Sequence, residues 1–337
     1  MSARPRVTVV IPTRNRCSHL GAALDALERQ TFPSDDFEVI VVDDGSTDGT
    51  ATYVDQRARA GRLVLRMIAC DHGGPAAARN AGASAARAPI LAFLDDDVVA
   101  DPQWLSAGLA GFDSDRVAAV EGCVRAIPRR AMGAFARLVE NERGGRYLSC
   151  NLFVRLDAFH RFGGFDPRFG PLDYFREDTD FAFTLLGNGY EIRFASGAVV
   201  THPPVPSGPL QPLRQARKYR HDRLLWRKHP RLCRQLLDVH RFGPVFLHRP
   251  RQRAYVVQVA AVALGLALVL GGQNGAGIAV VVAGSMPSLV VHLVPIARSR
   301  RFRAVLAAPV VALVSVAASF VYVATVLREA VLPRTRL

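Results

Sequence analysis

The chain has 337 residues, half of them hydrophobic, with 43 Lys and Arg against 29 Asp and Glu for a formal charge of +14. Its length exceeds what a single core usually organises, and its apolar content, free of low-complexity tracts, excludes intrinsic disorder. The five cysteines (Cys17, Cys70, Cys123, Cys150, Cys233) are odd in number and lack any CxxC spacing, which excludes a disulfide scaffold and argues against a zinc site.

In chain order, RVTVVI at 6–11 predicts a strand, ending at Pro12. Ser18 is placed to cap a following helix whose Leu20, Leu24 and Leu27 share one face. FEVIVV at 37–42 is the next strand, closed by the turn-rich DDGSTDGT. A helix over 48–60, a strand at 63–69, an Ala-rich helix over 75–86 and a strand at 89–94 follow. Near-continuous apolar strands alternating with helices predict an α/β fold whose sheet is mostly parallel and covered on both faces. Ligands of such sheets bind beyond the carboxyl ends of the strands. That rule selects Pro12, Thr13, Asp43, Asp44 and the run Asp95-Asp96-Asp97.

The charge is uneven. Residues 1–210 are close to neutral at −3, residues 211–253 carry 13 basic against 2 acidic groups, and residues 254–337 carry 7 against 1. No Asp, Glu, Lys or Arg lies between Arg253 and Arg298, and a second uncharged run covers 304–327. A helix needs about 20 apolar residues to cross a bilayer. Spans are therefore expected near 254–272, 277–297 and 304–327, with GGQNGAG as the first turn and with Pro287, His292 and Pro295 interrupting the second span. Arg298, Arg300, Arg301 and Arg303 are expected on the cytoplasmic side together with the basic segment before 254. Arg328, Arg334 and Arg336 would then end outside. Residues 1–30 lack a secretory apolar run, so the N-terminal unit is expected in the cytosol. The expected organisation is an α/β unit over 1–210, a basic amphipathic segment over 211–253, the membrane region over 254–327 and a tail over 328–337. In the basic segment, Pro230 opens a helix placing Leu232, Cys233, Leu236 and Leu237 on one face, and Trp226 with the arginines suits anionic membrane lipids. A nucleic-acid partner is not expected, because interleaved aromatics and a binding motif are lacking.

Three adjacent carboxylates repel one another, and a divalent cation relieves that repulsion. FLDDDVV also reads as a solvated loop start, and DDGS as ordinary turn chemistry. Arg79, inside an Ala-rich helix, suits either a bidentate phosphate contact or a surface helix position.

The ordered motifs VVIPTRNR (9–16), VIVVDDGSTDGT (39–50), GGPAAARNAG (73–82), AFLDDDV (92–98), GGFDPRF (163–169) and REDTDFAFTLLGNGY (176–190) resemble those of family 2 inverting glycosyltransferases with the GT-A fold, over roughly residues 5–230. The resemblance implies transfer of a sugar from a nucleotide-sugar donor to a hydroxyl of a glycan or lipid-linked glycan acceptor, aided by Mg²⁺ or Mn²⁺. It implies nucleotide-sugar contacts from Pro12, Thr13, Arg14, Asp43, Asp44, Arg79, Asn80, Asp95 and Asp96, and metal contacts from Asp97 and His202. His202 also reads as a structural histidine. Asp178 is implied as the base and Glu177 as its support or an acceptor contact, although both also suit a helix N-terminus. Gln215-Ala-Arg-Lys218-Tyr219 matches the processive Gln-x-x-Arg-Trp motif only loosely, which favours transfer of one or a few sugars. A polyprenyl-phosphate sugar synthase and an inactive membrane scaffold of the same fold are the alternatives. An aspartyl phosphatase is excluded, since Val98 and Val99 break its DxDxT pattern.

Overall fold

A computed structural model describes residues 4–127, 137–170, 174–205, 207–208, 210–237, 239–242, 245–298 and 308–331. The chain divides into two compact units, Met1–Pro128 with Leu138–Pro204, and Arg129–Arg137 with Val205–Leu337.

The first unit runs β1 (Val7–Thr13), α1 (Cys17–Glu28), β2 (Phe37–Asp43), α2 (Thr50–Arg59), β3 (Leu65–Ala69), α3 (Gly74–Ser84), β4 (Ile90–Leu94), β5 (Val99–Ala100), α4 (Trp104–Ala110), β6 (Val117–Ala126), β7 (Asn151–Arg155), α5 (Leu156–Arg161), α6 (Glu177–Gly187) and β8 (Glu191–His202). Every residue of β1, β2 and β4 is buried, as expected of strands covered on both sides. Their alternation builds two cores. Val7, Val9 and Ile11 face Leu20, Leu24 and Leu27 of α1, while Val10 joins Ile40, Val42 and the alanines Ala76, Ala78 and Ala83 of α3. Each fully buried leucine contributes about 1.5–3 kcal/mol. Gly82 lets α3 sit against the sheet, since a Cβ there would lie 2.4 Å from Val10 Cγ1.

The eight-stranded sheet has the order β3-β2-β1-β4-β7-β6-β8-β5. Its first four strands are parallel. Strand β7 is antiparallel to both β4 and β6, β8 is parallel to β6, and β5 is antiparallel to β8, so the sheet is mixed beyond the expected parallel half. The chain leaves β1 toward β2 and β3 and returns to its other side as β4. That reversal opens a crevice at the carboxyl ends of β1, β2 and β4.

Ser18 is not the cap of α1. The helix starts one residue earlier, at Cys17, whose N–H donates to Asp48 Oδ2 (3.1 Å), so a distant loop supplies the acceptor.

The second unit contains α7 (Gln211–Lys218), α8 (His221–Lys228), α9 (Pro230–Leu237), a hairpin of β9 (Val239–Phe242) and β10 (Val245–His248), then α10 (Arg249–Leu270), α11 (Asn274–Arg298) and α12 (Ala308–Val331). Pro230 opens α9 as expected, with Cys233 buried and Leu236 exposed. Helix α11 continues through Pro287 and Pro295. Among the described residues, one segment, Gln252–Leu270, is long and apolar enough to cross a membrane, with shorter apolar stretches at Asn274–Pro287 and Ala312–Arg328. Arg300, Arg301, Arg303, Arg334 and Arg336 lie outside the described residues. Helices α10 and α11 touch through small residues, for a Cβ on Gly277 would lie 2.5 Å from Gly265 O. Polar side chains join α10 to α8 and α12: Gln252 Nε2 donates to Asp222 Oδ2 (3.0 Å), Tyr322 OH to Gln252 Oε1 (3.0 Å) and Ser319 Oγ to Gln258 Oε1 (2.5 Å).

Candidate functional site

The crevice has two sides. On the first, the β1–β2 register sets Pro12 beside Val42 and Thr13 beside Asp43, and the Asp44 N–H donates to Thr13 O (2.9 Å). Asp43 Oδ1 accepts from the Ser46 N–H (2.9 Å), a turn bond. Both Asp44 carboxylate oxygens accept backbone N–H groups at the start of α3, from Gly73 (2.8 Å) and Gly74 (2.9 Å). His72 Nδ1 lies 2.9 Å from Asp44 O, and Arg14 NH2 lies 2.6 Å from His72 Nε2. A carbonyl and a guanidinium fix the tautomer: Nδ1 carries the proton and donates, and Nε2 accepts. Gly45, at φ +81, is needed here, because a Cβ would lie 2.4 Å from His72 Nδ1.

On the second side, the turn after β4 splays the three aspartates to different partners. Asp95 Oδ1 accepts from Arg79 NH2 (2.5 Å). Asp96 Oδ2 accepts from the Thr13 hydroxyl (2.7 Å), and Asp96 Oδ1 lies 3.1 Å from Arg16 Nε. Asp97 Oδ2 accepts from Arg16 NH2 (2.5 Å), and Asp97 Oδ1 lies 3.7 Å from His202 Nε2. Burial pushes Asp96 up to about 7 despite Arg16 and Thr13. Asp95, Asp97 and His202 each offer a ligand atom within 4.8 Å of the others. His202 Nδ1 donates to Pro203 O (2.6 Å), so its Nε2 lone pair is the one turned toward Asp97. A backbone carbonyl on the far nitrogen is the usual support for a ligating histidine. Two carboxylates and an imidazole fit Mg²⁺ or Mn²⁺.

Arg79 links this cluster to the start of α6. It is buried, its charge is held on by Asp95, Glu177 and Asp178 against the opposing effect of burial, and its Nε and NH1 have no hydrogen-bond partner among the described residues. Glu177 Oε2 is likewise buried and unpartnered. Burial first, and the Asp178 charge second, push Glu177 up to about 7, and burial also raises Asp178. Asp178 Oδ1 accepts from the Thr179 N–H (2.6 Å). Arg176, just before the helix, has φ 83, left-handed backbone that a non-glycine residue adopts at a cost of about 1–3 kcal/mol. Buried polar groups without partners among the described residues, beside a strained turn, make the start of α6 a candidate ligand site.

Asn80 is engaged elsewhere. Its Nδ2 donates to Phe165 O (2.8 Å) and its Oδ1 accepts from the Phe165 N–H (2.9 Å), so its amide is spent on the GGFDPRF loop. Arg16 and His72 were not singled out from the sequence. The available signal was their place in the two loops that leave strand ends, PTRNR and the segment before GGPAAARN.

The profile of the glycosyl transferase family 2 matches residues 8–158. Glycosyltransferase AglE of Haloferax volcanii is 32% identical over 221 residues, covering 62% of this chain and 70% of that protein. The validoxylamine A glucosyltransferase of Streptomyces hygroscopicus subsp. jinggangensis is 47% identical over 108 residues, 32% of this chain and 25% of that protein. In fold, the chain is similar to the mannosyltransferase PcManGT from Pyrobaculum calidifontis, solved in complex with GDP-Man and Mn²⁺, with a TM-score of 0.58 at 20% identity over 96% of this chain and 88% of that one. An α/β sheet with an acidic crevice and these relatives define a glycosyltransferase. The chain belongs to the glycosyl transferase family 2.

Proposed function

We propose that this protein is a membrane-anchored, metal-assisted inverting glycosyltransferase that moves a sugar from a nucleotide-sugar donor to a hydroxyl of a glycan or lipid-linked glycan. The observation that carries the proposal is the convergence of Asp95, Asp97 and His202 on one space, beside a buried Arg79 whose charge is held on by Asp95, Glu177 and Asp178. The GDP-Man and Mn²⁺ held by PcManGT support the donor and metal classes. Pro12, Thr13, Arg14, Asp43 and Asp44 line the nucleotide side. Thr13 acts there through Asp96, and Arg14 through His72. Asp95, Asp97 and His202 would hold Mg²⁺ or Mn²⁺, which neutralises charge growing on the leaving diphosphate. Arg79 adds its free N–H groups to the nucleotide-sugar, and Asn80 holds the neighbouring loop in place.

Asp178 takes the proton of the acceptor hydroxyl as that oxygen attacks the anomeric carbon opposite the leaving diphosphate. Its raised proton affinity suits a base, because a carboxylate of ordinary pKa accepts protons weakly near neutral pH. Glu177, its own pKa raised by burial and by the Asp178 charge, supports the base or contacts the acceptor. Residues 1–210 form the catalytic unit in this scheme, 211–253 lie on the anionic inner leaflet, and 254–327 anchor the chain as several spans, supported by Gln252–Leu270 and the two shorter apolar stretches.

The test is a screen of detergent-solubilised protein against UDP-, GDP- and dTDP-sugars with Mn²⁺, scoring nucleotide release with and without a membrane lipid extract. Asp97→Ala and Asp178→Ala are expected to abolish release. Wild-type release from both variants would remove the assignment, and no turnover of any donor by the wild type would favour a scaffold role. Protease accessibility of the C-terminus in sealed vesicles tests the number of spans.

A further inference from the structure

Arg16, the last residue of VVIPTRNR, touches the candidate metal ligand Asp97 and has no role in the scheme above. It precedes α1, with its carbonyl fixed by the N–H groups of His19 (2.9 Å) and Leu20 (3.1 Å), so its backbone is held by the helix. Its side chain reaches across to Asp97 Oδ2 (2.5 Å) and Asp96 Oδ1 (3.1 Å). The Arg16 side chain is 41% exposed, whereas those of Asp97 and Asp96 are 14% and 7% exposed. The arginine is thus the more exposed partner of the pair, although its Nε is buried and has no hydrogen-bond partner among the described residues.

Asp97 is also one of the three residues whose ligand atoms converge. A divalent cation bound to Asp97 and a guanidinium on the same carboxylate lie close enough to repel each other. Metal binding therefore works against the Arg16 contact. A diphosphate arriving with the metal changes the balance, because its oxygens offer the planar guanidinium fork two parallel acceptors that a carboxylate already shared with a metal no longer offers. Arg14 and Arg79 are less free to make that move, since one is tied to His72 and the other is buried against Asp95.

We propose that Arg16 is an exchangeable counter-ion of the donor site: it neutralises Asp97 and Asp96 while metal and donor are absent, and it transfers to the donor diphosphate when the metal takes Asp97. The inference rests on the metal-assisted reading above and adds to it a coupling between metal and nucleotide that runs through one side chain. Such coupling is reciprocal, so the nucleotide strengthens metal binding by the factor by which the metal strengthens nucleotide binding.

The experiment measures Mn²⁺ affinity of the full-length protein in detergent from the electron paramagnetic resonance signal of free Mn²⁺. It is run with Mn²⁺ alone and with saturating UDP or GDP, on wild type, Arg16→Gln and Arg16→Lys. Loss of a charge-assisted contact is expected to raise the affinity of Arg16→Gln for Mn²⁺ alone about 3- to 10-fold. The ratio of affinities with and without nucleotide should fall by a similar factor, with Arg16→Lys between the two. Equal effects of Arg16→Gln in both conditions, leaving that ratio at its wild-type value, would mean that Arg16 stays on Asp97 throughout and would overturn the exchange alone. Absence of Mn²⁺ binding to the wild type with either nucleotide would remove the metal-assisted reading and the exchange with it.

Discussion

Truncating Asn80 tests whether the helix that carries Arg79 also positions the base. Both polar atoms of its amide are bonded to the backbone of Phe165, which is fully buried among Phe93, Phe159 and Phe181 at ring separations of 5.2, 5.4 and 5.5 Å. Asn80→Ala removes two hydrogen bonds and strands a buried N–H and a buried C=O. At about 1–3 kcal/mol for each of the two stranded groups, the loss is about 2–6 kcal/mol, a large fraction of the 5–15 kcal/mol typical of a folded unit. Asn80→Asp keeps an acceptor for the Phe165 N–H but turns a second carboxylate oxygen on the Phe165 carbonyl, so it should lose about as much. Trp104 lies in the first unit and Trp226 in the second. In a Trp226→Phe background, urea unfolding followed by the fluorescence of Trp104 therefore reports on the catalytic unit alone. Because Phe181 sits in α6 one turn beyond Glu177 and Asp178, kcat should fall by more than donor KM rises. A loss below about 1 kcal/mol, or an Asn80→Asp protein as stable as wild type, would refute the clasp.

The pH profile of kcat follows from the Glu177–Asp178 pair. The base works deprotonated and burial raises its pKa, so activity is present above that pKa and is lost as pH falls through it. Burial and the Asp178 charge push Glu177 up to about 7, so Glu177 is neutral where Asp178 titrates. Glu177→Gln should therefore leave this acid limb in place, whereas a limb that moves with Glu177→Gln would make Glu177 the titrating group and count against Asp178 as the base. Gly45 and Gly49 both have positive φ, but only Gly45 has a neighbour where a Cβ would go. Gly45→Ala should therefore weaken UDP or GDP binding about 10-fold by displacing His72, while both alanine variants lose about 1 kcal/mol of stability from the backbone. Equal nucleotide affinity in the two variants would mean that the His72 contact does not shape the pocket. His202→Ala should weaken Mn²⁺ binding about 10-fold or more, measured with the nucleotide present, and an unchanged affinity would leave His202 as a structural residue.

The parts of this molecule that were legible in the sequence are those set by short-range rules. Strands β1, β2 and β4 are buried on both faces, so their residues are apolar without interruption, and the strand-end rule then points to Thr13, Asp43, Asp44 and Asp95 through Asp97. Strands β6 to β8 announce themselves less, and their antiparallel pairings depend on how residues beyond 117 return to the sheet. The Ser18 cap failed for a related reason: the acceptor for Cys17 comes from Asp48, thirty-one residues away, and no local pattern encodes it.

The aspartate run shows the same division at the level of the site. From sequence, three adjacent carboxylates call for a cation, and adjacency alone gives no reason for the three to differ. In the folded chain they differ because the turn at Val98, whose N–H donates to Asp95 O at 3.4 Å, sends each side chain to another partner. Asp96 is consumed by Thr13 and Arg16, which bolts the end of β1 to the end of β4. Asp95 and Asp97 are left to share the space in front of His202, each already paired with one arginine. The chain's own guanidinium groups therefore relieve the repulsion among the carboxylates before any metal arrives. An incoming divalent cation must compete with an internal one, which makes the contacts of Arg16 as relevant to metal affinity as the ligands themselves.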